Sequence, residues 1–202
     1  MARFSIRNSR FLVGTAFVCM GLLSGGMAVA QTSVPAAACE ACHGEGGNSQ
    51  FDAIPRLNGQ QNDYILARLK DFLDPTRETP HASQIMGPNA TKLSSTNAAS
   101  LAQYFSSRAP SISNAFGSYA DIGKDVFLNG AGPDIPACWT CHGRDGQGLG
   151  TVPRISGQHA NYLMAQLNAF SRSERSGTSM NHHAWDMTLE QMRNVTAYLG
   201  KD

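Results

Sequence analysis

The chain has 202 residues, 42% of them hydrophobic, enough apolar material for one large domain or two small ones. Its formal net charge is +1 and no stretch gathers basic residues into a run, which excludes an electrostatic nucleic-acid binder. Five cysteines in a chain with an export-like start suggest a disulfide scaffold, but four of them stand in two Cys-x-x-Cys pairs, each followed by His, and the fifth, Cys19, falls in the segment expected to be removed, so the mature chain has none left over to join distant segments.

Residues 1–30 read as a cleavable signal peptide. Arg3, Arg7 and Arg10 form a positive start, residues 11–23 an apolar stretch, and Ala28-Val29-Ala30 a small-x-small cleavage site, so the mature chain is expected to begin at Gln31 in the periplasm. A retained membrane anchor is the alternative, since the stretch is nearly long enough to span; Gly14, Gly21, Gly25 and Gly26 favour cleavage. Cys19 lies inside the apolar stretch without a small residue before it and is not read as a lipidation site. Losing three Arg leaves 13 basic against 15 acidic side chains, a net charge of −2.

A short helix over residues 35–43 is expected to carry Cys39-Glu40-Ala41-Cys42-His43. Cys-x-x-Cys-His is the attachment pattern of a c-type haem: two thiols one helical turn apart meet the two vinyl groups of one porphyrin, and the next residue supplies the proximal imidazole to the iron. A loop with Gly44, Gly46 and Gly47 follows. No strand precedes it and no Gly-Lys-Ser/Thr follows, so it is not read as a phosphate cradle; glycine there lets backbone pass close to a flat cofactor. A carbonyl near Pro55 is expected to accept the proximal His Nδ1–H and so fix its tautomer. The next helix, over residues 60–73, aligns Ile65, Leu66, Leu69, Phe72 and Leu73. Met86 then stands in what reads as a loop, and a last helix begins after Ser94 with Leu101, Tyr104 and Phe105 as its apolar stripe.

Pro and Ser cluster in residues 109–114, and the linker is placed at 110–115. The chain then repeats itself. A helix over residues 120–129, with Ile122, Val126 and Phe127 facing inward, precedes Cys138-Trp139-Thr140-Cys141-His142. Cys39 maps to Cys138 at an offset of 99, the Pro55-Arg56…Gly59-Gln60…Tyr64 block to Pro153-Arg154…Gly157-Gln158…Tyr162 at 98, and Met86 to Met180 at 94. A helix over residues 158–171 follows, and Thr188-Leu189-Glu190-Gln191 is a capping box for the last one. Two domains result, residues 31–109 and 116–202, each small enough to need help from a large cofactor. Arg56, Arg154, Tyr64 and Tyr162 are either propionate partners or ordinary solvent-facing Arg and core-edge Tyr.

Met86 and Met180 recur at one place in both halves, which suits a thioether ligand closing each iron opposite His43 and His142. His182 and His183 are rivals for the second iron but lack a first-half counterpart, while His81 and His159 are unmatched and read as ordinary polar residues. Imidazole–thioether ligation raises the potential and fills both axial sites, the profile of an electron carrier rather than an oxygen-activating enzyme.

The order Cys-x-x-Cys-His-Gly, Pro-Arg-x-x-Gly-Gln-x-x-x-Tyr, Met and a terminal helix with Tyr, twice over residues 36–200, resembles the two-haem class I cytochromes c of the cytochrome c₄ type. The resemblance implies an all-α architecture of two tandem cytochrome c domains with neighbouring haem edges. It implies two covalent haem c groups, on Cys39, Cys42, Cys138 and Cys141, with His43 and Met86 on one iron and His142 and Met180 on the other. It further implies a periplasmic electron shuttle between a quinol-oxidising membrane complex and a terminal oxidase or reductase. The tandem repeat on a short linker leads to the expectation that single electrons enter at one haem edge and pass to the second, and peripheral membrane association is a further expectation. Family members often carry two consecutive Met at the axial loop, where Ile85-Met86 and Ser179-Met180 supply one each. The competing readings are a haem subunit of a periplasmic oxidoreductase such as a flavocytochrome c sulfide dehydrogenase, a two-haem peroxidase, which is usually longer, and a zinc module, which lacks a fourth ligand at the usual spacing.

Overall fold

The computed structural model describes Met1, residues 36–113 and residues 118–200. The signal-peptide reading, Cys19 and part of the linker lie outside the described residues. Residues 32–202 cluster as one compact unit containing both haem motifs. It is all-helical apart from a single Leu149–Val152 bridge among the described residues, and no described helix is long and apolar enough to cross a membrane.

The first half holds α1 (Ala37–His43), a 3-10 turn over Glu45–Gly47, α2 (Asn62–Asp71), α3 (Pro80–Thr91) and α4 (Ser95–Ser106). The second holds α5 (Ser118–Asn129), α6 (Trp139–His142), α7 (Ala160–Ser171), α8 (Met180–Trp185) and α9 (Leu189–Leu199). Each half has its own small core. Ile65 of α2 meets Leu101, Ala102 and Phe105 of α4, with Cys39 packed at the edge. Val126 and Phe127 of α5 meet Val195 and Leu199 of α9, with Cys138 at that edge. The terminal helices start where their caps say: Ser94 Oγ accepts Asn97 N–H at 3.2 Å, and Thr188 and Gln191 form the expected reciprocal box.

Three sequence expectations are corrected. Ile122 is 48% exposed, not inward-facing. The buried face of α5 runs through Ala120, Gly123, Val126 and Phe127, because α5 and α9 approach so closely that a Cβ on Gly123 would overlap the Asn194 carbonyl. Leu73 lies past the end of α2 and is 56% exposed. Met86 and Met180 stand in helices rather than loops. The Thr79-Pro80 start outweighs Gly87-Pro88: Thr79 Oγ1 accepts Ala82 N–H, and Pro80 brings a helical φ to the first turn. Pro88 cannot donate to the Gln84 carbonyl one turn back, and α3 is reinforced around it by Asn89 Nδ2 donating to Ile85 O and Thr91 Oγ1 to Gly87 O.

The halves meet through polar groups. Glu78, 3% exposed, is paired with Arg68 of α2 and, at 3.5 Å, with Arg175 of the second half. Arg175 also donates to Gln166 Oε1 at 2.7 Å and Tyr64 Oη at 3.2 Å. Ser176 donates from N to Arg77 O and from Oγ to Thr76 O. Burying two guanidinium groups costs several kcal/mol unless both are paired.

Two outcomes follow from this packing. Gly123→Ala forces α5 off α9 and should lower stability by about 1–3 kcal/mol in denaturant titration. Glu78→Ala leaves Arg68 and Arg175 without their shared carboxylate and should cost about 3–5 kcal/mol in the same measurement.

Candidate haem sites

Each motif sits where a helix ends against a core. In α1, Cys39 is half-buried and Cys42 exposed, and His43, its last residue, is 7% exposed. The second motif repeats this: Cys138 half-buried, Cys141 exposed, His142 closing α6 at 7% exposure. Both helices stop at glycines with φ near +78° (Gly44) and +79° (Gly143), a conformation that costs other residues dearly. A Cβ on Gly44 would come within 2.5 Å of the Asn48 carbonyl oxygen, so this glycine serves a tight turn of the chain on itself.

The imidazoles are oriented alike. His43 Nδ1 lies 2.8 Å from the Pro55 carbonyl oxygen, and His142 Nδ1 lies 2.9 Å from that of Pro153. A carbonyl only accepts, so Nδ1 carries the proton in both rings and Nε2 is the bare nitrogen, the form a metal ligand requires. Burial pushes both imidazoles below their ordinary pKa, with the Pro carbonyl acting weakly the other way, so the neutral rings are favoured. The two half-buried thiols are held neutral too: burial, then Glu40, raises Cys39, and burial pushes Cys138 up to about 11.

The donor set fits two haem c groups. All four described cysteines are free, each pair flanks a ring with its Nε2 available, and the geometry is the same in both halves. A zinc site does not fit, since no group of three or more potential ligands converges among the described residues. Arg154 Nε is buried without a protein partner, a donor suited to an anionic cofactor edge. Met86 and Met180 are half-buried on α3 and α8, which pack on α2 and α7 respectively. Beside Met180, His182 is exposed and His183 half-buried with an unpartnered Nδ1.

Other expected roles change. Arg56 is neither solvent-facing nor confined to its own half: its Nη1 donates to Gly157 O at 3.1 Å. Tyr64 accepts from Arg175 across the boundary. Burial, with Tyr64 adding to it, pushes the Tyr162 phenol up to about 12. His159 is 3% exposed with Nε2 3.1 Å from Ser49 O in the first half, so it is no ordinary surface residue. Sequence reasoning missed the roles of Gln60, Gln158, Glu78 and Arg175. The recurrence of Gln at one place in both halves was the available signal for the first two; the Glu78–Arg175 pair has no equivalent in the repeat and left none.

Glu40, between the haem cysteines, accepts from Tyr104 Oη at 2.6 Å and from Gly46 N–H at 2.9 Å. Tyr104 first, then Gly46, holds the carboxyl below its usual range, while the same bond raises the phenol.

Comparison with known proteins adds independent support. The cytochrome c family model matches residues 120–201. Cytochrome c-552 of Acidithiobacillus ferridurans is 38% identical over 165 residues, 80% of this chain and 72% of that protein. A thiosulfate dehydrogenase electron acceptor of Thiomonas intermedia is 36% identical over 173 residues, 81% of this chain and 78% of the relative. The solved cytochrome c₄ of Acidithiobacillus ferrooxidans superposes with a TM-score of 0.75 at 38% identity, covering 81% of this chain and 98% of that one.

Tyr104→Phe should return the Glu40 pKa toward that of a free carboxylate, read by carboxyl NMR titration. Because the Glu40 pKa is depressed in the folded state, the stabilisation from this bond is present above the unfolded-state pKa and fades as pH falls through the folded one. The stability gap between wild type and variant should therefore close in acid.

Proposed function

The chain belongs to the cytochrome c₄ family, and on that premise we propose that it carries single electrons in the periplasm from a quinol-oxidising membrane complex to a terminal oxidase or reductase. It is an all-α dihaem electron carrier with two covalent haem c groups, and it works with redox protein partners.

The reading assigns Cys39 and Cys42 to one porphyrin and Cys138 and Cys141 to the other. His43 and Met86 close the first iron, His142 and Met180 the second, with domains at 31–109 and 116–202 and a linker at 110–115. Met180 is preferred to His183 because only a methionine stands at the matching place in the first half. The observation that carries the assignment is the duplicated imidazole geometry, with both Nδ1–H groups tied to a proline carbonyl and both Nε2 atoms available.

A haem c, when bound, supplies a one-electron couple. The protein's task is to hold its surroundings still. The Pro55 and Pro153 carbonyls stop the imidazoles from rotating and raise their basicity. Thioether anchors at Cys39 and Cys42 on α1, and at Cys138, the N-cap of α6, and Cys141 within it, would tie each cofactor to a core. The polar lock between the halves keeps the two sites at one separation, so that little rearrangement accompanies a change of charge. Export is the role assigned to residues 1–30.

A second reading places the chain as acceptor or haem subunit for a periplasmic dehydrogenase. The similarity to a thiosulfate dehydrogenase electron acceptor favours it. The two separate by donor: membrane vesicles given a quinol should reduce the purified protein faster than a periplasmic fraction given thiosulfate, and the reverse order would establish the second reading.

The ligand assignment has its own test. A pyridine haemochrome should count two c-type haems per chain. Met86→Ala should halve the weak far-red band of the oxidised protein and let one haem of two bind carbon monoxide when reduced. An unchanged spectrum and no carbon monoxide binding would remove Met86 from the iron.

A further inference from the structure

The peptide group that accepts each proximal histidine is itself held by the other half. The Pro55 carbonyl, acceptor for His43, shares its peptide unit with the Arg56 N–H. That N–H donates to Gln158 Oε1 at 2.8 Å, and Gln158 Nε2 donates back to Arg56 O at 3.0 Å. In the second half the Pro153 carbonyl accepts His142, and the Arg154 N–H of that peptide donates to Gln60 Oε1 at 2.7 Å while Gln60 Nε2 donates to Arg154 O at 2.9 Å. The amide orientations are fixed by their surroundings, since each Oε1 receives a second backbone donor: Gln158 Oε1 accepts from His159 N–H and Gln60 Oε1 from Gln61 N–H. Gln158 is 6% exposed and Gln60 7%.

We propose that Gln158 tunes the first haem and Gln60 the second, each acting across the boundary through the peptide that accepts the proximal histidine. This rests on the haem reading above. A peptide whose N–H is hydrogen-bonded polarises its carbonyl, so hydrogen bonds in series strengthen one another. The relay His43 Nδ1–H to Pro55 C=O, then Arg56 N–H to Gln158 Oε1, makes the carbonyl a stronger acceptor. A stronger acceptor makes the imidazole a better donor to iron and stabilises the ferric state. Removing the glutamine weakens the acceptor and raises the potential of the haem in the opposite half. Gln60 and Gln158 are positioning residues, since neither needs to touch a cofactor.

The test compares Gln158→Leu, Gln60→Leu and Gln158→Glu in the full holoprotein by redox titration. The haems are distinguished through the NMR contacts of their thioethers with Cys42 or Cys141. All variants are first required to keep two c-type haems by haemochrome, so a missing shift counts against the relay and not against haem attachment. Gln158→Leu should raise the potential of the haem on Cys42 and speed exchange of the His43 Nδ1 proton in the reduced protein, leaving His142 as it was. Gln60→Leu should do the converse. Gln158→Glu keeps an acceptor oxygen facing Arg56 N–H whether ionised or protonated, and should hold the first potential at or below that of wild type. A merely structural role predicts something else: a loosened boundary admits water to both sites and moves both potentials together. Equal shifts, a shift of the haem in the same half as the substitution, or no shift would each overturn the proposal.

Discussion

The bond made by an imidazole's second nitrogen sets its tautomer and orientation as an iron ligand, and the two described halves are each built around one such bond. His43 and His142 each end a short helix, each is nearly buried, and each has a proline carbonyl within 3 Å of Nδ1. The bond selects the tautomer and fixes the ring plane. The rest of each half supplies the conditions for it: a glycine to turn the chain away after the histidine, a loop to bring the proline back beneath it, and a helix pair to brace the cysteine-bearing segment.

That bracing is thin. The cores are built from a few buried side chains each, and domains of this size are marginal without extra linkage. A covalently anchored apolar cofactor would add buried area beside each core, where Cys39 and Cys138 pack against it. The second source of support is the boundary between halves, which is polar. The two glutamine bridges, the Arg56–Gly157 bond and the Glu78 cluster give buried donors and acceptors the partners that an isolated half lacks. Such a boundary specifies one arrangement more strongly than an apolar one, because a slip leaves charges and amides unpaired.

The polar character of the boundary also connects holding and function. The same Gln158 side chain that docks one half to the other touches the peptide behind His43. Geometry that fixes the separation of the two sites is thus wired to the immediate environment of each. The second layer repeats the pattern, with Gln61 donating to the Gly148 carbonyl at 3.3 Å and His159 facing that of Ser49, at equivalent places in the repeat.

Local signals carried much of this protein in its sequence. The haem motifs, the proline acceptor, the terminal helices with their Ser94 and Thr188 caps and the twofold repeat were all legible, because each depends on residues a few positions apart or on direct self-comparison. Where local signals competed, sequence reading failed: Gly87-Pro88 suggested a loop, yet Thr79-Pro80 starts a helix through Met86. Ile122 looked buried until the contact at Gly123 turned the face of α5. What only the tertiary structure decided is the pairing across the boundary, between residues about 100 positions apart such as Arg56 and Gln158. A glutamine or buried arginine in sequence gives no sign of which carbonyl it will meet; that is set by how the two cores pack against each other, which no local period encodes.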